Sequence, residues 1–229
     1  IRNNAFIQNP KAIQSYSEHS LISGNFIDGP NPLQQQGFLS KPFWGPIGIQ
    51  LGIGNQEIAD NYIANMYVEG GEYGADGGAI EIDDGRFHKD NIHIHGNTTH
   101  HNMGFLEVSY WDDIAMMSSS NMVIEFNTSR DYQSFLLWWA PTAGSAVRNN
   151  TIIRDDNDVE GLWNTVFILD EPPGDIHFHN NIIIVDNDQT EAVFSAGFNG
   201  AVDDVRRTQN CYWNVEGGAV DVGFPSLGD

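Results

Sequence analysis

Short runs of alternating apolar and polar residues, not stretches of helical period, make up most of this chain. In Ala79-Ile80-Glu81-Ile82-Asp83 the alternation sends Ile80 and Ile82 to one side of a strand and Glu81 and Asp83 to the other. Runs of this kind recur, and each closes on an asparagine: IRNN, LISGN, EIADN, IHIHGN, MVIEFN, AVRNN, IHFHNN and RRTQN. Aligned on the last Asn they give Asn4, Asn25, Asn61, Asn97, Asn127, Asn150, Asn181 and Asn210, with successive gaps of 21, 36, 36, 30, 23, 31 and 29. Repeats of this size with variable insertions predict a solenoid whose loops grow on one side. An Asn at the bend of each turn has two physical uses. It tolerates the left-handed backbone conformation, and its amide can hydrogen-bond up and down the stack.

Between successive ladder positions lies a second set of alternating segments: AIQSYS, IGIQLGI, AIEIDDG, FLEVSYW, FLLWWAP, VFILDEP and VFSAGFN. Each turn therefore holds at least two short strands separated by polar or Gly-rich bends. Over nearly its whole length this pattern resembles the right-handed parallel β-helix of the pectate-lyase-like superfamily. The resemblance implies an all-β solenoid of about eight coils, a single domain spanning residues 1–229. It also implies that the outward face of the second set lines a substrate groove. Ile1 falls within a ladder strand, so the chain begins in mid-coil with a hydrophobic end. The expectation is the C-terminal part of a longer domain, with an N-terminal fragment or another subunit covering that end.

Stacking the groove segments predicts two inward columns. One is Ile13, Ile49, Ile80, Leu106, Leu136, Phe167 and Phe194, and the other is Ser15, Leu51, Ile82, Val108, Trp138, Leu169 and Ala196. The outward column between them reads Gln14, Gln50, Glu81, Glu107, Leu137, Ile168 and Ser195. The next outward column reads Tyr16, Gly52, Asp83, Ser109, Trp139, Asp170 and Gly197. Carboxylates thus gather on neighbouring rungs, with Asp84 following Asp83 and with Tyr110, Trp111 and Glu171 at adjacent bends. Strands about 4.8 Å apart put the carboxyls of Glu81 and Glu107 roughly 5 Å apart, near the spacing of retaining glycosidases. The diagonal from Asp83 to Glu107 is roughly 8 Å, inside the inverting range. Like charges this close cannot both ionise easily, so in a catalytic patch one carboxyl keeps its proton while its neighbour serves as base or nucleophile; the alternative is a merely solvated or Ca²⁺-binding acidic patch.

A different face carries the residues two before each ladder Asn: Arg2, Ser23, Ala59, His95, Glu125, Arg148, His179 and Thr208. This reads as a surface ion-pair ladder. His93/His95 and His177/His179 form HxH pairs, but Glu125 and Arg148 separate them. His100 and His101, in the bend before FLEVSYW, are candidates for substrate contact.

Charge narrows the partners. Ten Lys+Arg against 31 Asp+Glu give a net charge of −21. That argues against nucleic acid or an anionic membrane, and against a polyanionic glycan unless Ca²⁺ bridges the two. A single Cys211 rules out an internal disulfide framework. Two enzyme classes dominate the resembled fold. Polysaccharide lyases need a basic residue, and the outward groove columns have none; Lys89 and Arg86 lie in the bend after Asp84. Hydrolases need carboxylates, which this face has. The Gly-His-Gly and Arg-Ile-Lys signatures of polygalacturonases are absent. The remaining similarity is to the β-helical xylosidase, xylanase and fucosidase families, glycoside hydrolase families 120 and 141, through the Asp-then-Glu pair Asp83 and Glu107 on consecutive rungs.

The expectation is therefore a secreted, extracellular or periplasmic glycoside hydrolase acting on a largely neutral glycan, with no resident cofactor. Glu107 is the general acid/base, and Asp83 or Glu81 its nucleophilic or basic partner. Asp84 and Asp170 tune charge or hold substrate, and Trp139, Tyr110 and Trp111 bind sugar rings. The alternatives are a Ca²⁺-assisted lyase using Lys89 or Arg86 and a non-catalytic β-helix for glycan binding or adhesion.

Overall fold

The computed structural model describes residues 1–30, 45–71, 74–83, 87–109, 119–140, 142–154, 165–169, 175–186, 192–196 and 205–223. Nearly all the described strands fall into three stacked parallel sheets of seven, seven and eight strands. The groove sheet runs through Lys11–Ser15, Ile47–Leu51, Gly78–Ile82, Leu106–Val108, Leu136–Trp138, Thr165–Leu169 and Ala192–Ala196. The ladder sheet is built from Ser20–Ser23, Gln56–Ala59, His93–His95, Val123–Glu125, Ser145–Arg148, Ile176–His179 and Val205–Thr208. The third sheet, which follows each ladder Asn, comprises Ala5–Ile7, Phe26–Asp28, Tyr62–Ala64, Thr98–His100, Thr128–Arg130, Thr151–Arg154, Ile182–Val185 and Cys211–Asn214. The chain visits the three in turn, so the molecule is a parallel β-helix with three strands per coil.

The asparagine ladder is continuous from Asn4 to Asn210. Each ladder Asn donates its side-chain amide to the Oδ1 of the next, at 2.9–3.1 Å, and that same oxygen accepts the preceding Asn's backbone N–H at 3.0 Å. From Asn25 to Asn181 these side chains are buried, where an unmatched amide would be costly. The left-handed conformation, however, falls one residue earlier than expected. It belongs to Asn3, Gly24, Asp60, Gly96, Phe126, Asn149, Asn180 and Gln209, the residue before each ladder Asn. The ladder Asn is therefore selected for its amide and its predecessor for the bend.

Sheet-to-sheet bends elsewhere repeat the device. His19, Asn55, Asn91, Asn121 and Gly144 are left-handed where the groove sheet passes to the ladder sheet. A second buried polar stack lies between the third sheet and the groove sheet, where the sequence pattern gave no sign of one. Asn102 donates both its backbone N–H and its side-chain amide to Asp131, which also accepts from Thr99 and Ser129. Burial pushes Asp131 up, and those hydrogen bonds only partly offset it. The buried Arg154 donates to the Asp131 carbonyl and is held down to about 9 by burial, with Asp131 opposing.

The core is an apolar rod. Both predicted inward columns of the groove sheet align rung by rung. Phe105 stacks on Phe135 at 4.4 Å, and Phe167 on Phe194 at 4.6 Å. Strict alternation fails at the start of five of the seven groove strands. Ala79–Ile80, Phe105–Leu106, Phe135–Leu136, Val166–Phe167 and Val193–Phe194 are consecutive residues that both enter the core. The chain is still turning in from the third sheet there, so two neighbours face inward. Trp138 is in the core, as predicted, and its indole N–H reaches Ser119 Oγ at 3.0 Å.

Candidate functional site

Glu81 and Glu107 owe their position to the apolar residues on either side of them. Ile80 and Ile82 are buried against the core, as are Leu106 and Val108 one rung on, so the glutamates between them must face outward. The rungs pair Gln14 with Gln50, Gln50 with Glu81, and Glu81 with Glu107. Asp83 follows the strand and stays in register because its N–H donates to the Leu51 carbonyl at 3.0 Å.

Facing outward does not leave these acids in open water. Glu81 is only 9% exposed and Asp83 7%, while Glu107 is half-buried. Among the described residues no hydrogen bond or ion pair reaches Glu81 or Glu107. Burial pushes Glu81 well above the usual carboxylate range; Glu107, Asp76 and Asp83 add to it, and Lys11 opposes. Burial likewise pushes Glu107 up to about 7, helped by the charges of Asp76 and Asp83. These two carboxyls therefore hold protons that an ordinary glutamate has lost.

Asp83 has a different environment. Its Oδ2 accepts from Gln50 Nε2 at 3.3 Å. The Gln50 amide is oriented from its other end, where Oε1 accepts from Lys11 Nζ at 2.9 Å and Gln14 Nε2 at 2.7 Å. The cluster thus divides into an aspartate presented as a hydrogen-bond acceptor and two glutamates biased toward the neutral form. That is the division an acid/base pair needs.

Asp76 is the member that the sequence pattern did not reveal. It ends Gly74–Asp76, which pairs antiparallel with Val68–Gly71 in a hairpin inserted between the third sheet and the groove sheet. The backbone of Gly77, at φ 126°, then turns into the groove strand, and its N–H donates to Asp76 Oδ1 at 2.7 Å. The available signal was Asp-Gly-Gly just before an alternating run, which marks a turn.

The other predicted residues scatter. Trp139 is half-buried and keeps the Asp83–Ser109 column, its N–H donating to the Val108 carbonyl at 2.8 Å. Ile168 shares Glu107's column yet is buried. His100 ends a strand of the third sheet and His101 occupies a left-handed bend beside it, so both lie off the carboxylate columns. Lys89 is buried, with its ammonium donating to the Phe87 carbonyl at 2.8 Å. Asp84, Arg86, Tyr110, Trp111, Asp170 and Glu171 lie outside the described residues. Among the described residues no group of three or more His, Cys, Asp or Glu side chains is placed to hold a metal ion.

The ladder sheet carries ion pairs, but among the described residues only Glu125 and Arg148 of the expected column pair with each other; His93 and Glu57, from the outward column two residues earlier, supply the other partners. His93 Nε2 meets Glu125 Oε1 at 2.9 Å, Arg148 Nε donates to Glu125 Oε2 at 2.7 Å, and His95 Nε2 meets Glu57 Oε1 at 3.0 Å. His179 is held low by burial and by the nearby His177 and Arg148, with Glu125 opposing. No protein family, curated protein or solved structure matches the chain.

Proposed function

We propose that the protein is a glycoside hydrolase that cleaves a largely neutral poly- or oligosaccharide, with Glu107 as general acid/base and Asp83, rather than the proton-holding Glu81, as its partner. The observation that carries this reading is Glu107 itself. It stands on the outward face of the groove sheet, on the rung next to Glu81, with its carboxyl pushed up to about 7 by burial and by Asp76 and Asp83. A carboxylic acid that keeps its proton near neutrality can give it to a leaving alkoxide.

In the reaction the C1–O bond breaks and its electron pair stays on the oxygen, which takes the Glu107 proton. In the retaining course the partner carboxylate bonds to C1. Water then displaces it, losing a proton to Glu107 and restoring the starting state. In the inverting course the partner takes that proton from a water that attacks C1 directly. The pairing of Asp83 and Glu107 on consecutive rungs supports a likeness to glycoside hydrolase families 120 and 141 within the pectate-lyase-like superfamily. A lyase reading would need an exposed base, and the buried Lys89 ammonium, donating to a backbone carbonyl, suits it poorly. The expected place of action is outside the cytoplasm, where such glycans occur.

The test is incubation with neutral and acidic plant and algal polysaccharides and aryl glycosides, following reducing ends and ultraviolet absorbance together. Reducing ends without absorbance, lost in Glu107→Gln, are expected. An unsaturated, absorbing product would replace the hydrolase with a lyase. No product of either kind would leave a non-catalytic glycan-binding surface.

A further inference from the structure

The carboxylate column begins, two rungs before Asp83, with an aromatic residue that the reaction does not use. Tyr16, Gly52, Asp83, Ser109 and Trp139 follow one another along it. Backbone bonds from Gly52, Asp83, Ser109 and Trp139 to the preceding rung, at 2.8–3.0 Å, hold the register. A Cβ on Gly52 would overlap the Tyr16 ring, so the ring lies across the glycine backbone. Tyr16 is nevertheless 43% exposed.

We propose that Tyr16 is a stacking platform for a pyranose ring of a neutral glycan, set on the N-terminal side of the carboxylates. Its ring is held before any ligand arrives. Gln14 Nε2 donates to the Tyr16 hydroxyl at 3.2 Å and to Gln50 Oε1 at 2.7 Å, and Gln50 Nε2 donates to Asp83 Oδ2 at 3.3 Å. Platform and carboxylate are two ends of one hydrogen-bonded chain, so a sugar placed on the first is positioned relative to the second. A tyrosine offers a large amphipathic surface with few rotatable bonds, and preorganising it lowers the entropy cost of binding.

Two rungs, about 10 Å, separate Tyr16 from Asp83, and two more lead on to Trp139. A glycan lying along the solenoid axis meets an aromatic residue on each side of the carboxylates. The charges of Asp76 and Asp83, which already disfavour ionisation of Glu81 and Glu107, would repel an anionic sugar, and the Lys11 ammonium is already donated to Gln50. The inference rests on the hydrolase reading for the direction of the glycan, but the platform itself needs no catalysis.

Affinity electrophoresis in gels containing xylan, glucomannan, laminarin or galactan tests it, with reducing ends assayed on the same four polysaccharides. Wild type, Tyr16→Ala, Tyr16→Phe and Gly52→Ala are compared, and their melting curves check folding. At least one polysaccharide should retard wild type and Tyr16→Phe to a similar extent. Tyr16→Ala, and Gly52→Ala by displacing the ring, should bind it about tenfold more weakly. The proposal is overturned if no polysaccharide retards the wild type, or if Tyr16→Ala is retarded as strongly. Retardation that depends on Tyr16 but yields no reducing ends keeps the platform and removes the hydrolase. Reducing ends with retardation indifferent to Tyr16 do the reverse. If Tyr16→Ala does not fold, Gly52→Ala, which keeps the ring and moves it, decides the matter.

Discussion

Glu107 and Glu125 are the same side chain in the same kind of place. Each sits on an outward column of a parallel sheet, directly after an apolar core residue and with another polar side chain one rung away. Their proton affinities nevertheless move in opposite directions. Burial pushes Glu125 up, but hydrogen bonds from Arg148 and His93 outweigh it and hold the carboxyl below its ordinary range. Glu107 has other carboxylates as neighbours, and burial combined with their charge drives it up to about 7. A solenoid places both residues with equal precision. What the next coil contributes decides whether the result is a neutralised surface ladder or an acid poised near neutrality.

The sharpest break in this comparison is chemical. Glu107→Gln should lower hydrolysis by about 10²–10⁴-fold, the usual worth of a general acid, whereas Glu125→Gln should leave turnover unchanged. Steady-state rates on the best polysaccharide of the panel would measure both. Equal losses would mean that the groove sheet has no special role.

A smaller effect, of opposite sign on the two sheets, appears in stability against pH. The folded state binds protons at Glu81, Glu107 and Asp131 more tightly than the unfolded chain does. Their contribution is complete below the ordinary carboxylate range and is lost as pH rises, for Glu107 through about 7. The melting temperature should therefore fall between about pH 5 and about pH 8, and Glu107→Gln should recover on the order of 2 kcal/mol at the upper end. Glu125 follows the opposite rule. Its contribution is complete above the ordinary glutamate range and lost as pH falls through its lowered folded value. Glu125→Gln should cost about 1 kcal/mol at neutral pH and progressively less in acid. Melting curves of the two variants across that range should diverge.

The smallest effect lies in the backbone beside Glu125. Phe126 has φ 55° and is 61% exposed at a bend where Gly24 and Gly96 serve other coils. Phe126→Gly should stabilise the protein by up to about 1 kcal/mol by removing the left-handed penalty. A loss of stability on melting would mean that the ring packs in a way its exposure does not suggest.

Much of the groove sheet was legible along the chain. Every predicted rung from Ile13 to Ala196, and the ladder face from Arg2 to Thr208, stands in the expected register. A two-residue period and a recurring Asn suffice for that, because both are local. The candidate site was legible only in part. Glu81, Asp83, Glu107 and Trp139 fell on the expected columns, but Asp76 did not announce itself. It arrives through a hairpin that interrupts the repeat. His100 and His101 fell off the columns because a third strand in each coil carries them onto another sheet.

The amino-acid sequence by itself determined the coil repeat, the buried Asn ladder and the columns of the groove sheet, since each follows from spacing between near neighbours. Tertiary structure alone decided which residue takes the left-handed bend, how the Gln50 amide is oriented, and that the Tyr16 ring lies across Gly52. It also decided that Glu107 holds its proton while Glu125 gives it up. Those outcomes depend on groups brought together from successive coils, 20 or more residues apart in the chain. Desolvation and pairing are properties of that assembly, and no single stretch of the chain contains them.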